Sequence, residues 1–334
     1  MGRKTFVILI ITAAVLSASI IFSLSSGSYS LRLDEIIRTL IGRGNPLSNT
    51  IVMQLRLPRI FIAILVGASL STAGCILQSI LGNPLAEPGI IGMNSGAALA
   101  VVLLISSSSS AYYDSIGIYT MMLLPIASIA GSFLVTALIY VLSVKKGANP
   151  ARLTLTGVGI SAGINAFIAL YQLTMSKGDY NRALTWISGS LWGSNWLFFG
   201  IIAPAAAVSI GFAMYNSKLL DVIRLGRETA VGLGVDVDKK QKSLLGIALV
   251  LSAASTAVAG NISFLGLMGP HIANRLVGPV HIRKIPVAAG ISSVLILLAD
   301  TASRTMFSPL EVPVGITVSI LGVPYFIYLM LKEA

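Results

Sequence analysis

The sequence predicts an all-α, polytopic membrane protein with about ten transmembrane helices. Charged residues make up only 10% of the chain and hydrophobic residues 55%, and the mean hydropathy is +0.88. A soluble domain carries roughly 25% charged residues and could not hide so much apolar surface from water. A spanning helix needs about 20 apolar residues, so the 334 residues accommodate about ten spans with their connections. We therefore expect residues 1–334 to form a single transmembrane domain.

Successive apolar runs account for these helices, and the charged connections predict their orientation. The runs cover residues 5–24, 58–80, 89–107, 120–142, 155–175, 197–215, 243–260, 262–278, 286–303 and 311–331. With the amino terminus inside, most of the 23 Lys and Arg residues fall in inner connections, as the positive-inside rule requires. Both termini are therefore predicted to be cytoplasmic. A cleaved signal peptide is the alternative for the first run, but it would leave an odd number of spans.

Sequence patterns for a metal, a cofactor or catalysis are missing. The single cysteine, Cys75, lies inside an apolar run, which excludes a disulfide framework and a thiolate cluster. His271 and His281 are too isolated to form an iron or zinc site, and we expect structural or interfacial roles for both. No G-x-x-x-x-G-K-[ST] phosphate loop occurs, so the chain does not bind ATP in the P-loop manner. The sequence therefore predicts no metal site, no cofactor and no catalytic residue.

Arginines are concentrated on the predicted outer side of the membrane, ahead of the second span. Pro58 suits the first turn of that helix, and Arg56 and Arg59 flank it. The same outer connection also contains Arg32, Arg38 and Arg43. Guanidinium groups at this position either fork onto the carboxylates of a partner or extend to lipid headgroups. Because these outer basic residues oppose the usual insertion preference, we expect an acidic partner to dock there.

The connection after the second span is unusually rich in turn-forming residues. Between Gln78 and Gly92 it contains two prolines and three glycines, more than a generic membrane loop needs. Together with the Arg56-Leu57-Pro58-Arg59 run, this stretch resembles the permease subunits of the FecCD family, which are ABC importers of iron-siderophores, heme and vitamin B12. Further segments that resemble the family follow in order: 155–160, 186–192, 260–267, 270–272 and 310–315. The resemblance covers nearly the whole chain.

The resemblance implies the helical bundle of a type II ABC importer permease in the plasma membrane of a bacterium. Its expected partners are a second permease subunit, identical or a sibling, two cytoplasmic ABC ATPase subunits and an extracytoplasmic substrate-binding protein. ATP hydrolysis is expected on the ATPase subunits, so this chain would not itself be an enzyme. The net charge of +11 lies in the connections between spans, where it reflects membrane topology and not a nucleic-acid partner.

The resemblance also implies roles for particular residues. Those that match the family's docking arginines are Arg56, Arg59 and Arg304. Those in the segment 218–242 that resemble its coupling helices are Leu225, Gly226, Arg227, Glu228, Gly232, Leu233 and Gly234. The cytoplasmic gate matches Asn149, Pro150 and Ala151. The fifth span lines the family's pathway, which makes Gly157, Ser161 and Asn165 the candidate lining residues.

Structural roles are the alternatives for these residues. Asp300 precedes Arg304 by one helical turn, so the two can form an ion pair that serves packing alone. The pathway candidates equally suit ordinary helix packing, and the coupling segment could be a solvated loop. Ferric siderophores are the expected substrates, with heme or cobalamin as the alternative within the family. A stand-alone secondary transporter would need ionisable residues near the bilayer midplane, and Asp300 is the one mid-chain candidate.

Overall fold

The computed structural model describes residues 2–27, 29–107, 118–144, 150–306 and 310–333. Its long helices form where the sequence has apolar runs. The helices are α1 (Arg3–Ser25), α2 (Leu33–Leu40), α3 (Pro46–Asn49), α4 (Leu57–Leu81), α5 (Met93–Ser107), α6 (Ile118–Val144), α7 (Pro150–Gln172), α8 (Lys177–Ile187), α9 (Trp196–Tyr215), α10 (Ser217–Arg224), α11 (Arg227–Gly232), α12 (Val237–Ala259), α13 (Leu265–Val277), α14 (His281–Thr305) and α15 (Val314–Glu333). A π-helical segment, Thr50–Arg56, joins α3 to α4, and a 3₁₀ turn, Pro88–Ile91, precedes α5. The predicted all-α fold is confirmed.

Every predicted apolar run falls on one of these helices. Within the described residues, eight helices are long and apolar enough to cross a membrane. The remaining two runs fall on shorter helices, α5 with 15 residues and α13 with 13 residues. Each of these follows backbone that is not α-helical, namely the 3₁₀ turn before α5 and the segment 260–264 before α13. Irregular backbone at membrane depth is tolerated where protein or a polar cavity satisfies it.

The second span begins earlier than the sequence predicts. We expected it to start at Pro58, but one continuous helical stretch runs from Pro46 to Leu81. Proline lacks an N–H group and disrupts the regular hydrogen bonding of an α-helix. Here the turn before it is π-helical, and the Leu57 N–H bonds to the Val52 carbonyl five residues back. The helix therefore continues through the proline and does not start at it.

Helices α4 and α14 form the centre of the bundle and approach each other through small residues. A Cβ atom added to Gly67 would lie 2.7 Å from the backbone of Ser292, and the Ser293 hydroxyl donates to the Ile64 carbonyl at 2.9 Å. Helices α12 and α13 also pack on α4, and α1 packs on α14. By contrast, Gly159 and Gly163 on α7 have open space around them, so they do not serve close helix packing within this chain. They lie on an exposed face of α7.

Candidate functional site

Arg59 occupies the centre of a charged cluster at the predicted outer end of the bundle. Its guanidinium donates to the Asp300 carboxylate through Nη2 at 2.8 Å and through Nε at 3.0 Å. A further bond runs from Nη1 to Glu311 at 2.9 Å. The Asp300 side chain is 1% exposed, the Arg59 side chain 13% and the Glu311 side chain 34%. Arg59 therefore joins α4 to α14 and to the segment before α15.

Arg56 and Arg304 are buried and hold the carboxyl-terminal end of α1. Arg56 donates to the backbone carbonyls of Leu24 and Tyr29. Arg304 donates to the Ser23 carbonyl at 3.0 Å and to the Ser23 hydroxyl at 2.8 Å. The predicted ion pair with Asp300 is present, with Arg304 Nε at 3.4 Å from the carboxylate. Sequence reasoning did not anticipate the bonds of these two guanidiniums to backbone at the end of α1.

The exposed basic residues at this end lie on and beside α2. The Arg32 side chain is 87% exposed, and Arg38 and Arg43 are exposed as well. Helix α2 buries Ile36 and Thr39 against the bundle, which turns its remaining face outward. The surface available to a partner at the predicted outer end therefore includes the three arginines of the α2 region.

Segments far apart in the sequence meet in the middle of the bundle. The Ser190 N–H bonds to the Ala259 carbonyl at 2.8 Å, and the Gly315 N–H bonds to the Gly189 carbonyl at 3.0 Å. Gly189 has φ 75° and Gly260 has φ 67°, conformations that favour glycine. Three of the segments that resemble the FecCD family, 186–192, 260–267 and 310–315, thus converge at one place.

A cavity of about 630 Å³ opens beside this junction. Its polar lining consists of Glu87, Asn94, Ser95, Ser161, Asn165, Gln172, Asn261 and Ser263. Two of the predicted pathway residues, Ser161 and Asn165, are therefore on its wall. The third, Gly157, is a packing residue instead, because a Cβ atom there would lie 2.3 Å from the Ile90 carbonyl. A groove of about 550 Å³ along α15 adjoins the cavity and shares Asn261 and Ser263 with it.

Hydrogen bonds fix the polar wall of this cavity. The Asn94 amide donates to the Asn261 side chain at 2.7 Å, and the Ser95 hydroxyl donates to Ser161 at 3.2 Å. The Glu87 carboxylate accepts the Phe264 N–H at 2.9 Å. Phe264 is held at φ 68°, the one described non-glycine residue with positive φ.

Glu87 is the main cavity residue that sequence reasoning missed. It lies in the connection between α4 and the 3₁₀ turn, outside the spanning helices. Burial raises the pKa of the Glu87 carboxyl above its usual range, and the hydrogen bond from the Phe264 backbone opposes that rise in part. A signal was present in the sequence, because Glu87 is the one acidic residue in the turn-rich stretch 78–92.

Two short helices, α10 and α11, form the segment predicted to resemble coupling helices. They are separated by Leu225 and Gly226, and Gly226 has φ 104°. Gly234 follows α11 with φ 80°, whereas Gly232 is the last residue of α11 and has no positive φ. The turn-forming glycines are thus Gly226 and Gly234.

Apolar side chains of this segment face outward. Leu225 is 64% exposed, Val231 55% and Leu233 62%. Arg227 pairs within the chain with Asp238 through Nη1 at 2.9 Å and Nη2 at 2.7 Å. This hydrogen-bonded pair raises the pKa of Arg227. Glu228 lies in the first turn of α11, where the helix dipole stabilises a carboxylate.

Residues 15–332 match the family model described as the FecCD transport family. The chain belongs to the FecCD transport family. This FecCD-family chain is 42% identical to the iron(3+)-hydroxamate import system permease protein FhuG of Bacillus subtilis (strain 168), over 99% of this chain and 98% of that protein. It is 36% identical to the Fe(3+) dicitrate transport system permease protein FecD of Escherichia coli (strain K12), over 84% of this chain and 85% of FecD.

A solved structure resembles the FecCD-family chain along almost its full length. It is a chain of a metal-chelate type ABC transporter in an inward-facing conformation, with a TM-score of 0.85 and 28% sequence identity. The match covers 97% of this chain and 99% of that one. The predicted family and the permease-like helical bundle are therefore confirmed, and the chain is a multi-pass membrane protein.

The predicted gate of the FecCD-family chain is only partly within the described residues. Asn149 lies outside them. Pro150 is the first residue of α7, and Ala151 follows it at the exposed start of the same helix. The gate assignment stays a prediction.

Proposed function

We propose that this chain is the transmembrane permease subunit of an ATP-driven importer of ferric siderophores. In this proposal a substrate-binding protein delivers the chelate at the outer face, two permease subunits enclose the path, and two cytoplasmic ATPases power it. The observation that carries the proposal is the polar cavity of about 630 Å³ beside an exposed face of α7. The iron-chelate names of the relatives support the substrate class.

The cavity wall suits a chelate that passes through without being held tightly. Its amides and hydroxyls, among them Asn165, Asn261 and Ser161, offer hydrogen bonds to the oxygen atoms of a chelate. Such groups do not displace the chelator from iron, which would remain cargo throughout. Gly159 and Gly163 leave the adjoining face of α7 open, and we propose that the second permease subunit closes the path there.

The inner end is proposed to engage an ATPase subunit. Leu225, Val231 and Leu233 are exposed apolar side chains next to basic residues, a composition typical of a surface that a partner covers. The Arg227 pair with Asp238 would hold α11 against the start of α12 while the apolar side chains enter a groove of the ATPase. Movement of the ATPases would then reach the bundle through this segment.

At the outer end the proposed docking surface combines two groups of residues. Arg59 and Glu311 form its partly exposed rim, and the arginines of the α2 region, Arg32, Arg38 and Arg43, extend it. Arg56 and Arg304 would support this surface from inside the bundle, since they hold the backbone that leads into α2. Acidic residues of a binding protein would meet this basic surface, which favours fast and salt-sensitive docking.

The test is energy-dependent uptake of radiolabelled iron by cells that lack this gene and by cells in which it is restored. Iron is supplied as hydroxamate, catecholate and citrate chelates in separate experiments. Loss of uptake for one chelate class, restored with the gene, is the expected result. Unchanged uptake of every iron chelate would overturn the siderophore assignment, and loss of heme or cobalamin uptake instead would identify the alternative substrate.

A further inference from the structure

Three polar side chains form a hydrogen-bonded chain at the predicted inner end of the bundle, away from the cavity. His281 Nδ1 lies 2.6 Å from the Asp221 carboxylate, and His281 Nε2 lies 2.7 Å from the Ser79 hydroxyl. His281 is fully buried, Ser79 is 2% exposed and the Asp221 side chain is 32% exposed. Each residue comes from a different helix: Asp221 from α10, His281 from α14 and Ser79 from α4.

Asp221 also holds the first turn of α14 through the backbone. The same carboxylate oxygen that faces the His281 ring accepts the His281 N–H at 2.9 Å. A carboxylate at a helix amino terminus accepts from an otherwise unpaired N–H group and interacts favourably with the helix dipole. One turn further along α14, the buried Lys284 donates to Gln78 at 3.1 Å. The first turn of α14 is thus attached to the last turn of α4 and to α10.

The protons of the Asp221–His281–Ser79 hydrogen bonds can be assigned from the contacts. His281 Nδ1–H donates to the Asp221 carboxylate, so Nε2 of a neutral ring accepts from the Ser79 hydroxyl. Ser79 also lies 2.9 Å from the Cys75 carbonyl. Because a serine hydroxyl has one proton, it bonds fully to only one of these two acceptors at a time. The connection between α14 and α4 therefore has two alternative hydrogen-bonding arrangements.

Helix α10 connects the Asp221–His281–Ser79 hydrogen bonds to the rest of the proposed coupling segment. Helix α10 buries Leu220 and Ile223 against the bundle, and only Leu225 and Gly226 separate it from α11. A displacement of α11 therefore reaches Asp221 over less than two turns of helix. From Ser79 and His281, α4 and α14 run about 30 Å to Arg59 and Asp300, where the two helices are joined again.

We infer that Asp221, His281 and Ser79 are positioning residues that transmit movement of the coupling segment to the paired helices α4 and α14. This inference rests on the proposed function. Apolar contacts would hold three helices together at lower cost, because buried polar groups must be desolvated and then satisfied. A hydrogen-bonded chain instead sets a definite register between α10 and the two central helices.

The experiment uses the permease with its ATPase subunits in proteoliposomes, with the binding protein loaded with a radiolabelled ferric chelate. Asp221→Ala, His281→Ala and Ser79→Ala are compared with Thr72→Val, a matched control in α4. The Thr72 hydroxyl bonds to the Ala68 carbonyl of its own helix. The readouts are the chelate imported per ATP hydrolysed and the stimulation of ATPase activity by the loaded binding protein.

We expect Asp221→Ala and His281→Ala to lower import per ATP by roughly fivefold, while ATPase activity persists. Asp221→Asn should retain coupling, because its amide oxygen can accept both His281 bonds. A purely structural role would lower the amount of assembled complex without changing import per ATP. If the alanine variants of Asp221 and His281 fail to assemble, Ser79→Ala tests the inference. We expect it to lower import per ATP by roughly twofold or more.

Import per ATP equal to that of Thr72→Val in every assembled variant would overturn the inference. No ATP-dependent import by the unsubstituted complex would instead refute the proposed function. The two failures are therefore distinguishable.

Discussion

Arg59 donates charge-assisted hydrogen bonds to Asp300 from Nη2 at 2.8 Å and from Nε at 3.0 Å, across the contact between α4 and α14. The two residues are 241 positions apart in the sequence. Because Asp300 is 1% exposed, its carboxylate depends on this partner and on Arg304 for its charge to be tolerated. This pair joins the two central helices at their predicted outer ends.

Breaking the Arg59–Asp300 pair should destabilise the protein strongly. Arg59→Leu leaves the buried carboxylate largely unpaired, and we expect a loss of about 3 kcal/mol in the free energy of unfolding. The double variant Arg59→Leu with Asp300→Leu should recover part of that loss. Denaturant unfolding in detergent measures both. Arg32→Gln, at the exposed Arg32–Asp34 pair, is the control and should cost under about 0.5 kcal/mol. Strictly additive effects at Arg59 and Asp300 would contradict the prediction.

Charge reversal at the outer end should separate docking from folding. Arg32, Arg38 and Arg43 are exposed, so their joint change to Glu should weaken binding-protein affinity by roughly tenfold at low salt, with thermal stability retained. Arg56→Glu should instead reduce the amount of folded protein, because Arg56 is 5% exposed. Lys239→Glu with Lys240→Glu, at the opposite end, is the docking control. Unchanged affinity in the triple variant would remove α2 from the docking surface.

Substitution of the coupling-segment glycines should follow their backbone conformations. Gly226 at φ 104° and Gly234 at φ 80° are in regions that cost other residues roughly 1–3 kcal/mol. Gly226→Val and Gly234→Val should therefore reduce ATPase stimulation more than Gly232→Val, whose site is helical and open. Gly211→Val on the exposed face of α9 is the control. Equal effects at Gly226 and Gly232 would refute the assignment of the turn.

Glu87→Gln should make stability less dependent on pH. Burial raises the pKa of this carboxyl in the folded protein, so the folded state binds a proton that the unfolded state has already lost. Stability from this group therefore falls as the pH rises from the unfolded pKa through the folded pKa. We expect the variant to melt higher than the unsubstituted protein at about pH 8, and the difference to shrink towards about pH 5. A difference that does not vary with pH would contradict this prediction.

Filling the cavity should block uptake without affecting docking. Ser161 and Asn165 lie on its wall, so Ser161→Phe and Asn165→Phe should reduce iron-chelate uptake severalfold. Binding-protein affinity should stay normal because the outer surface is unchanged. Val208→Phe, on the exposed face of α9, is a control that places the same aromatic side chain outside the cavity. Normal uptake in both cavity variants would exclude this cavity from the path.

The sequence by itself determined the class of protein, the placement of its apolar helices and its family. Hydropathy and turn chemistry are local properties, so each predicted run falls on a helix, and the coupling segment contains the expected short helices. The shortened α5 and α13 escaped prediction because the irregular backbone before them is stabilised by residues from elsewhere in the chain. The Glu87 contact with the Phe264 backbone is one such interaction.

Only the tertiary structure decided which functional candidates face a partner and which are internal. Arg56, Arg59 and Arg304 look alike in the sequence, yet their burial and partners are set by contacts with α1, α14 and the segment before α15. The bond between Ser79 and His281 joins residues 202 positions apart. Burial and hydrogen-bond geometry arise from such long-range contacts, and no local pattern encodes them.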